Sequence, residues 1–183
     1  MRYQRTTDAA SEPISVTEAK DHLKVDASDQ DTYIGTLITA ARTYCENYCE
    51  RSFISQTWVA YLENFSWDIE LERGEVISVT TVEYYNDSDV LTTVSSTLYN
   101  VSGRIIRPID SWPSVNTDWP EAVVITFLTG YGATEADVPE AINQAIKIMI
   151  GSWFENRQEV MVGTVPRAVP FAAHALLDQY KLR

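Results

Sequence analysis

The stretch Val138–Arg157, VPEAINQAIKIMIGSWFENR, constrains the chain more than any other. Its apolar residues Ile142, Ala145, Ile146, Met149, Ile150, Trp153 and Phe154 follow one another in alternating steps of three and one. That spacing gathers them on one stripe of an α-helix. Pro139 suits the first turn, where its missing N–H costs nothing, and Asp137 and Glu140 favour the positive end of the helix. So broad a stripe has to be covered, and a second one lies within Asp31–Arg51. There Ile34, Leu37, Ile38, Ala41, Tyr44, Cys45, Tyr48 and Cys49 recur at helical spacing. The two long helices are expected to pack on each other.

Shorter signals fill in the rest. Ser15 followed by Glu18 makes a capping box, with Ile14 positioned to staple onto Ala19, so a short helix is expected over 14–24. The acidic loop VDASDQD follows, with Ser28 or Asp29 available to cap the next helix. Residues 1–12 are polar and unpatterned and read as a flexible arm. From Ser55 onward the period shortens to that of strands. QTWVAYL (56–62), VISVTTVEYY (76–85), VLTTVS (90–95) and VVITFL (123–128) are rich in β-branched and aromatic residues. Asn86–Asp89 reads as a hairpin turn, and Ser102-Gly103 as a second one between Tyr99–Val101 and Arg104–Ile106. Trp112-Pro113 and Trp119-Pro120 bracket a loop before the last strand. No helical crossover separates the strands, so antiparallel pairing is expected. The fold class is therefore α+β: a helical bundle (14–24, 31–51, 138–157) with a small antiparallel β-sheet inserted over 56–128. The expected domain is 13–157, followed by a tail, 158–183, with a short helix over about 171–180.

Charge narrows the choice of partners. The chain holds 14 basic and 26 acidic residues, a formal charge of −12. Residues 25–156 carry six basic and twenty acidic side chains, whereas 157–183 carry four and two. An acidic body repels phosphate, which argues against a DNA-wrapping or sequence-reading role. The segment Glu63–Asp89 contains eight acids and one base, Arg73. Such a run is either a solvated face or one that repels a polyanion or meets a basic partner. No apolar run approaches the roughly 18 residues of a membrane helix. With no hydrophobic leader in the first twenty residues, synthesis in a cytoplasm is expected, and the sequons at Asn64, Asn86 and Asn100 read as chance.

The catalytic inventory is thin. The sequence has no G-x-S-x-G elbow, no Walker A loop and no H-E-x-x-H helix. Gly130-Tyr131-Gly132 lacks the third glycine of a dinucleotide fingerprint, since Glu135 stands there, and reads as a turn from strand to helix. Cys45 and Cys49 share one helix face and could join His22 and His174 at a metal, but two small core residues are the simpler reading. No enzyme, metal or cofactor is indicated.

The order of the pieces is more specific than any one of them. PISVTEAKDHLKVD (13–26), DTYIGTLITAARTYCENYCERSFISQTW (31–58), VISVTTVEYYNDSD (76–89), ITFLTGYGATEADVPEAINQAIKIMIGSWFENR (125–157) and PFAAHALLDQYK (170–181) stand in sequence at compatible separations. Together they resemble the gp6-like head–tail connector (adaptor) proteins of tailed bacteriophages, with their prophage and gene-transfer-agent relatives. The Tyr44/Cys45/Tyr48/Cys49 face and the Trp112–Trp119 loop depart from that pattern.

The resemblance implies a structural protein of the virion neck. Such a protein assembles as a homo-oligomeric ring of twelve beneath the portal, extends the DNA channel without specific DNA binding, and presents a platform for the next neck or tail-completion protein. It implies tail residues Val165, Pro166, Phe171, Leu176, Leu177 and Tyr180 as the surface for the portal or a neighbouring subunit. It also implies Glu63, Asp68, Glu70, Glu72 and Glu75 as a lumen or platform surface. The rival readings are a cytoplasmic protein-interaction module and an uncharacterised hydrolase.

Overall fold

Ser15 opens the first helix as the capping box requires. Its hydroxyl accepts from the Glu18 N–H at 3.2 Å, while the Glu18 carboxylate accepts from the Ser15 N–H at 2.9 Å. In this computed structural model, which describes residues 1–156 and 170–182, that helix is α1 (Val16–Leu23). It is followed by α2 (Asp31–Cys49), α3 (Glu140–Glu155) and α4 (Phe171–Leu177), the last running into a 3-10 turn at Asp178–Tyr180. The chain divides into two compact units, Ser11–Ile54 with Gly132–Arg183, and Met1–Ala10 with Ser55–Tyr131.

The helical unit is built around the two expected stripes. Ile34, Leu37, Ile38, Ala41, Cys45 and Cys49 of α2 are buried, as are Ile142, Ala145, Ile146, Met149 and Ile150 of α3. Each end differs slightly from the sequence reading. α2 begins after Gln30 with no side-chain cap: Ser28 accepts from the Asp31 N–H through its carbonyl (3.2 Å), and the Asp31 carboxylate reaches Lys20 (2.7 Å). Pro139 stands just outside α3, and the Asp137 carboxylate instead accepts from the N–H and hydroxyl of Thr134 (2.9 and 2.8 Å), closing a 3-10 turn ahead of the helix. α1 and α2 end on Lys24 and Glu50 in the left-handed region (φ 56° and 55°), a position usually given to glycine.

The sheet unit contains two antiparallel sheets where the sequence suggests one. The larger has the order β1-β2-β8-β4-β5, from Arg2–Thr7, Gln56–Leu62, Val123–Thr129, Val76–Tyr85 and Leu91–Thr93. The smaller has the order β3-β7-β6, from Ile69–Glu70, Ile105–Pro108 and Tyr99–Ser102. One core serves both: Ala60, Val82, Ile125 and Phe127 of the large sheet meet Ile69, Tyr99 and Ile106 of the small one and Leu71 just past β3. Both expected hairpins form. Asn86 accepts from the Ser88 and Val90 N–H groups, and Gly103 turns at φ 56°.

The first residues correct the expectation of a flexible arm. Arg2–Thr7 is a terminal strand of the large sheet, paired antiparallel with β2 from Arg2↔Tyr61 to Thr7↔Thr57. Its polar composition conceals it because only one face is covered. Tyr3 turns inward, edge-on to Phe127 at 6.3 Å, while its neighbours face water.

Candidate assembly surfaces

The C-terminal segment is held to α2 by a small aromatic and polar joint. Ala173 and Leu177 are buried. The His174 ring stacks on Tyr48 at 4.5 Å, with its Nε2 3.1 Å from the Tyr44 hydroxyl. The Tyr48 hydroxyl donates to Asp178, a bond that leads the causes pushing that phenol up to about 12. The Leu182 N–H donates to the Cys49 carbonyl at 2.9 Å, and the Lys181 ammonium lies 4.9 Å from the centre of the Tyr48 ring. The departing face, through Tyr44, Tyr48 and Cys49, thus forms one side of the seat of the tail helix, which also packs against α3.

Of the tail residues singled out from sequence, Phe171 is 86% exposed, Leu176 and Tyr180 are half-buried, and Leu177 is fully enclosed. Leu177 therefore fastens α4 and offers no free surface in this conformation. Val165 and Pro166 lie outside the described residues, as does Arg157, the expected end of the long helix.

The five acids named above in the sheet unit, Glu63, Asp68, Glu70, Glu72 and Glu75, are all exposed. They are not electrostatically alike. Asp68 takes a two-pronged bond from Arg107 that holds its carboxyl below the usual range, and Arg104 binds Glu70 at 2.7 Å. Both arginines come from the Ser102-Gly103 hairpin, more than thirty residues away in sequence. Glu72 donates its N–H to the Tyr3 hydroxyl (3.0 Å), and the Glu75 carbonyl accepts from Thr129 Oγ1 (2.8 Å). Glu63 stands beyond the end of β2.

Sequence reasoning missed a buried ionic cluster in the helical unit. Arg42, 2% exposed, binds Glu12 through Nε at 2.8 Å and Glu46 through a terminal nitrogen at 3.0 Å. Glu12 also accepts from Thr39 (2.7 Å), and Glu46 from the Phe53 N–H (2.9 Å). The cluster pins the segments before α1 and after α2 to α2 itself. The i,i+4 spacing of Arg42 and Glu46 was its one visible trace.

The glycine loop behaves as a turn. Gly130 adopts φ 143°, and a Cβ at Gly132 would lie 2.3 Å from the Asp137 carboxylate. Cys45 and Cys49 are fully buried free thiols, pushed up to about 12 chiefly by burial. Among the described residues no group of His, Cys, Asp or Glu is placed to hold a metal ion, and no helix is long and apolar enough to cross a membrane.

Comparison with known proteins completes the picture. The sequence profile of the phage gp6-like head–tail connector proteins matches residues 13–105. The chain belongs to this family. Solved structures carry the likeness beyond that segment. A chain of a gene transfer agent virion described as native aligns over 100% of this connector and 97% of its own length, with a TM-score of 0.82 and 21% identity. Chains from the neck of an empty gene transfer agent particle computed with C6 symmetry, and of a native one computed with C12 symmetry, give TM-scores of 0.80 and 0.76 at the same identity and coverage. At that identity the likeness establishes the α+β fold over the whole connector. No curated protein matches the sequence significantly.

Proposed function

We propose that this connector is a structural subunit of a virion neck, made in the host cytoplasm and acting by assembly, not by catalysis. Twelve copies form a ring under the portal, extend the DNA channel and carry the next neck or tail-completion protein. The observation that carries the reading is the full-length likeness to a gene transfer agent virion chain, added to the family match over 13–105. The neck computed with C12 symmetry supports the ring number.

The acidic strand-loop residues fit a wall or platform past which DNA moves without adhering, because like charge repels the phosphate backbone. Glu63 and Glu72 are its strongest members, since Asp68 and Glu70 are compensated by arginine. The 158–183 segment is the docking tail, with Val165, Pro166, Phe171, Leu176 and Tyr180 directed to the portal or a neighbouring subunit and Leu177 holding α4 in place. Phe171, 86% exposed, is accessible to such a partner.

Negative-stain imaging of the chain mixed with portal tests the assembly. A ring seated on portal is expected, and a chain that stays monomeric in that mixture would overturn the proposal. Phe171→Asp tests the tail without disturbing the core: portal attachment should fall at least tenfold while the melting temperature holds. Undiminished attachment would remove the tail assignment.

A further inference from the structure

We infer that subunits of this connector join edge to edge through the large sheet, β1 of one copy pairing with the open part of β4 in the next. The inference rests on the ring reading above and names the surface that closes it. The order β1-β2-β8-β4-β5 puts β1 at one border of the sheet. The other border is only half occupied. β5 covers Glu83–Tyr85, and the Val94 N–H reaches the Val82 carbonyl, beyond which the chain leaves. Among the described residues, no strand pairs with Val76–Thr81 on that side.

The two borders complement each other in three respects. Each is six residues long, Arg2–Thr7 against Val76–Thr81. Every pairing in the sheet is antiparallel, so β1 and β4 of one copy run in opposite directions, and β1 set beside β4 of a second copy makes another antiparallel pair. The open segment also carries Ile77, which is 47% exposed on a strand that otherwise turns its large apolar residues inward. An uncovered strand with an apolar side chain on it invites pairing by another chain.

Two irregularities in the β4–β8 pairing, between Val76 and Ser78 and between Val79 and Thr81, restrict which chain that is. They bend the border, so a flat, indiscriminate partner is disfavoured and a strand of matching twist is required. β1 has its own irregularity, between Arg5 and Thr7. Because the two borders differ, the contact is head-to-tail, and a head-to-tail contact propagates into a ring when its rotation closes.

Cysteine pairing tests this directly. Gln4 and Ser78 lie on the same face of the sheet, Gln4 opposite Val59, Val59 opposite Thr126, and Ser78 opposite Leu128 two residues along β8. Within one subunit β2 and β8 separate them, about 14 Å at the usual strand spacing. That is twice the reach of a disulfide, roughly 7 Å between Cα atoms, so any bond that forms joins two copies. Under mild oxidation the double variant Gln4→Cys/Ser78→Cys should give a ladder of linked subunits ending at the ring size. An equal mixture of the two single variants should stop at dimers. Cys45 and Cys49 are buried and stay out of the reaction.

Ile77→Lys supplies an independent reading: rings should be lost while the subunit's circular dichroism and melting temperature are unchanged. Rings that survive Ile77→Lys, with no linkage from either Gln4→Cys/Ser78→Cys or the neighbouring register Gln4→Cys/Thr80→Cys, would overturn the edge assignment and leave the ring intact. Absence of rings in the unmodified protein, alone and with portal, would instead remove the ring reading on which the inference rests.

Discussion

The helical and sheet units differ in how they hold their ion pairs. Beside exposed pairs such as Lys20–Asp31 and Lys147–Glu18, the helical unit encloses one cluster: Arg42 lies in the interior between Glu12 and Glu46, with Phe53 and Thr39 completing the bonds. In the sheet unit the ion pairs stay in water, where Arg2–Glu121, Arg104–Glu70 and Arg107–Asp68 all expose at least one partner substantially. Desolvated charges have to be matched, so they fix geometry, whereas exposed pairs are screened and contribute little. The sheet unit holds five basic and twelve acidic residues, and its surplus is therefore available to act on whatever passes nearby. The enclosed cluster of the helical unit is architecture, and the charge of the sheet unit is surface.

Breaking the enclosed cluster should have the largest effect. Arg42→Ala leaves Glu46 buried without its cation, and a loss of about 3–5 kcal/mol is expected by chemical denaturation. A loss below about 1 kcal/mol would mean that water reaches Glu46 and that the contrast is overstated. Ile146→Ala, an apolar cut in the same unit, should cost about 2–5 kcal/mol and reports the cavity term alone. Adding it to Arg42→Ala asks whether cluster and stripe are coupled.

Smaller effects belong to the helix ends. Ser15→Ala should cost about 1 kcal/mol in thermal melts. The sign of its pH dependence follows from Glu18. The Ser15 N–H holds that carboxyl below its ordinary 4.5, so its contribution is present above that pH and fades as the pH falls through the depressed value. Asp137, held down by the Thr134 N–H, behaves alike below 3.8. The unmodified protein should therefore lose stability more steeply below about pH 4.5 than Glu18→Gln, which cannot ionise, and parallel curves would exclude the cap as the source. At the bottom of the scale, Asp68→Asn should leave the melting temperature unchanged at physiological salt. A measurable shift would make the sheet's ion pairs structural and erase the difference between the units.

Thiol accessibility sharpens the same contrast. Burial pushes Cys45 and Cys49 up to about 12, so a thiol reagent at pH 8 should label neither until the helical unit opens. Labelling should track unfolding in denaturant, and rapid labelling of native protein would place α4 off its seat, since Cys49 lies beneath Leu177 and Leu182.

Much of this was legible because it is local. The period of three and one located α3, the capping box located α1, and Asn86–Asp89 located a hairpin, each through forces acting within a few residues. β3 was too short for any pattern to reveal, and β1 was hidden because an edge strand with one covered face needs few apolar residues: Tyr3 alone supplies the inward anchor. The acidic run of the sheet unit read correctly as charge, yet its division into compensated and uncompensated members depended on Arg104 and Arg107 arriving from a distant hairpin.

The sequence by itself determined the helices, the main strands and the connector family, since periodicity, caps and motif order are all properties of neighbours along the chain. Only the tertiary structure decided that Arg42 lies inside, that Leu177 is a fastener while Phe171 faces out, and that among the described residues no strand pairs with Val76–Thr81 on the β5 side of the large sheet. Those outcomes depend on which distant segments share space, and burial, not composition, settles what each side chain is there to do.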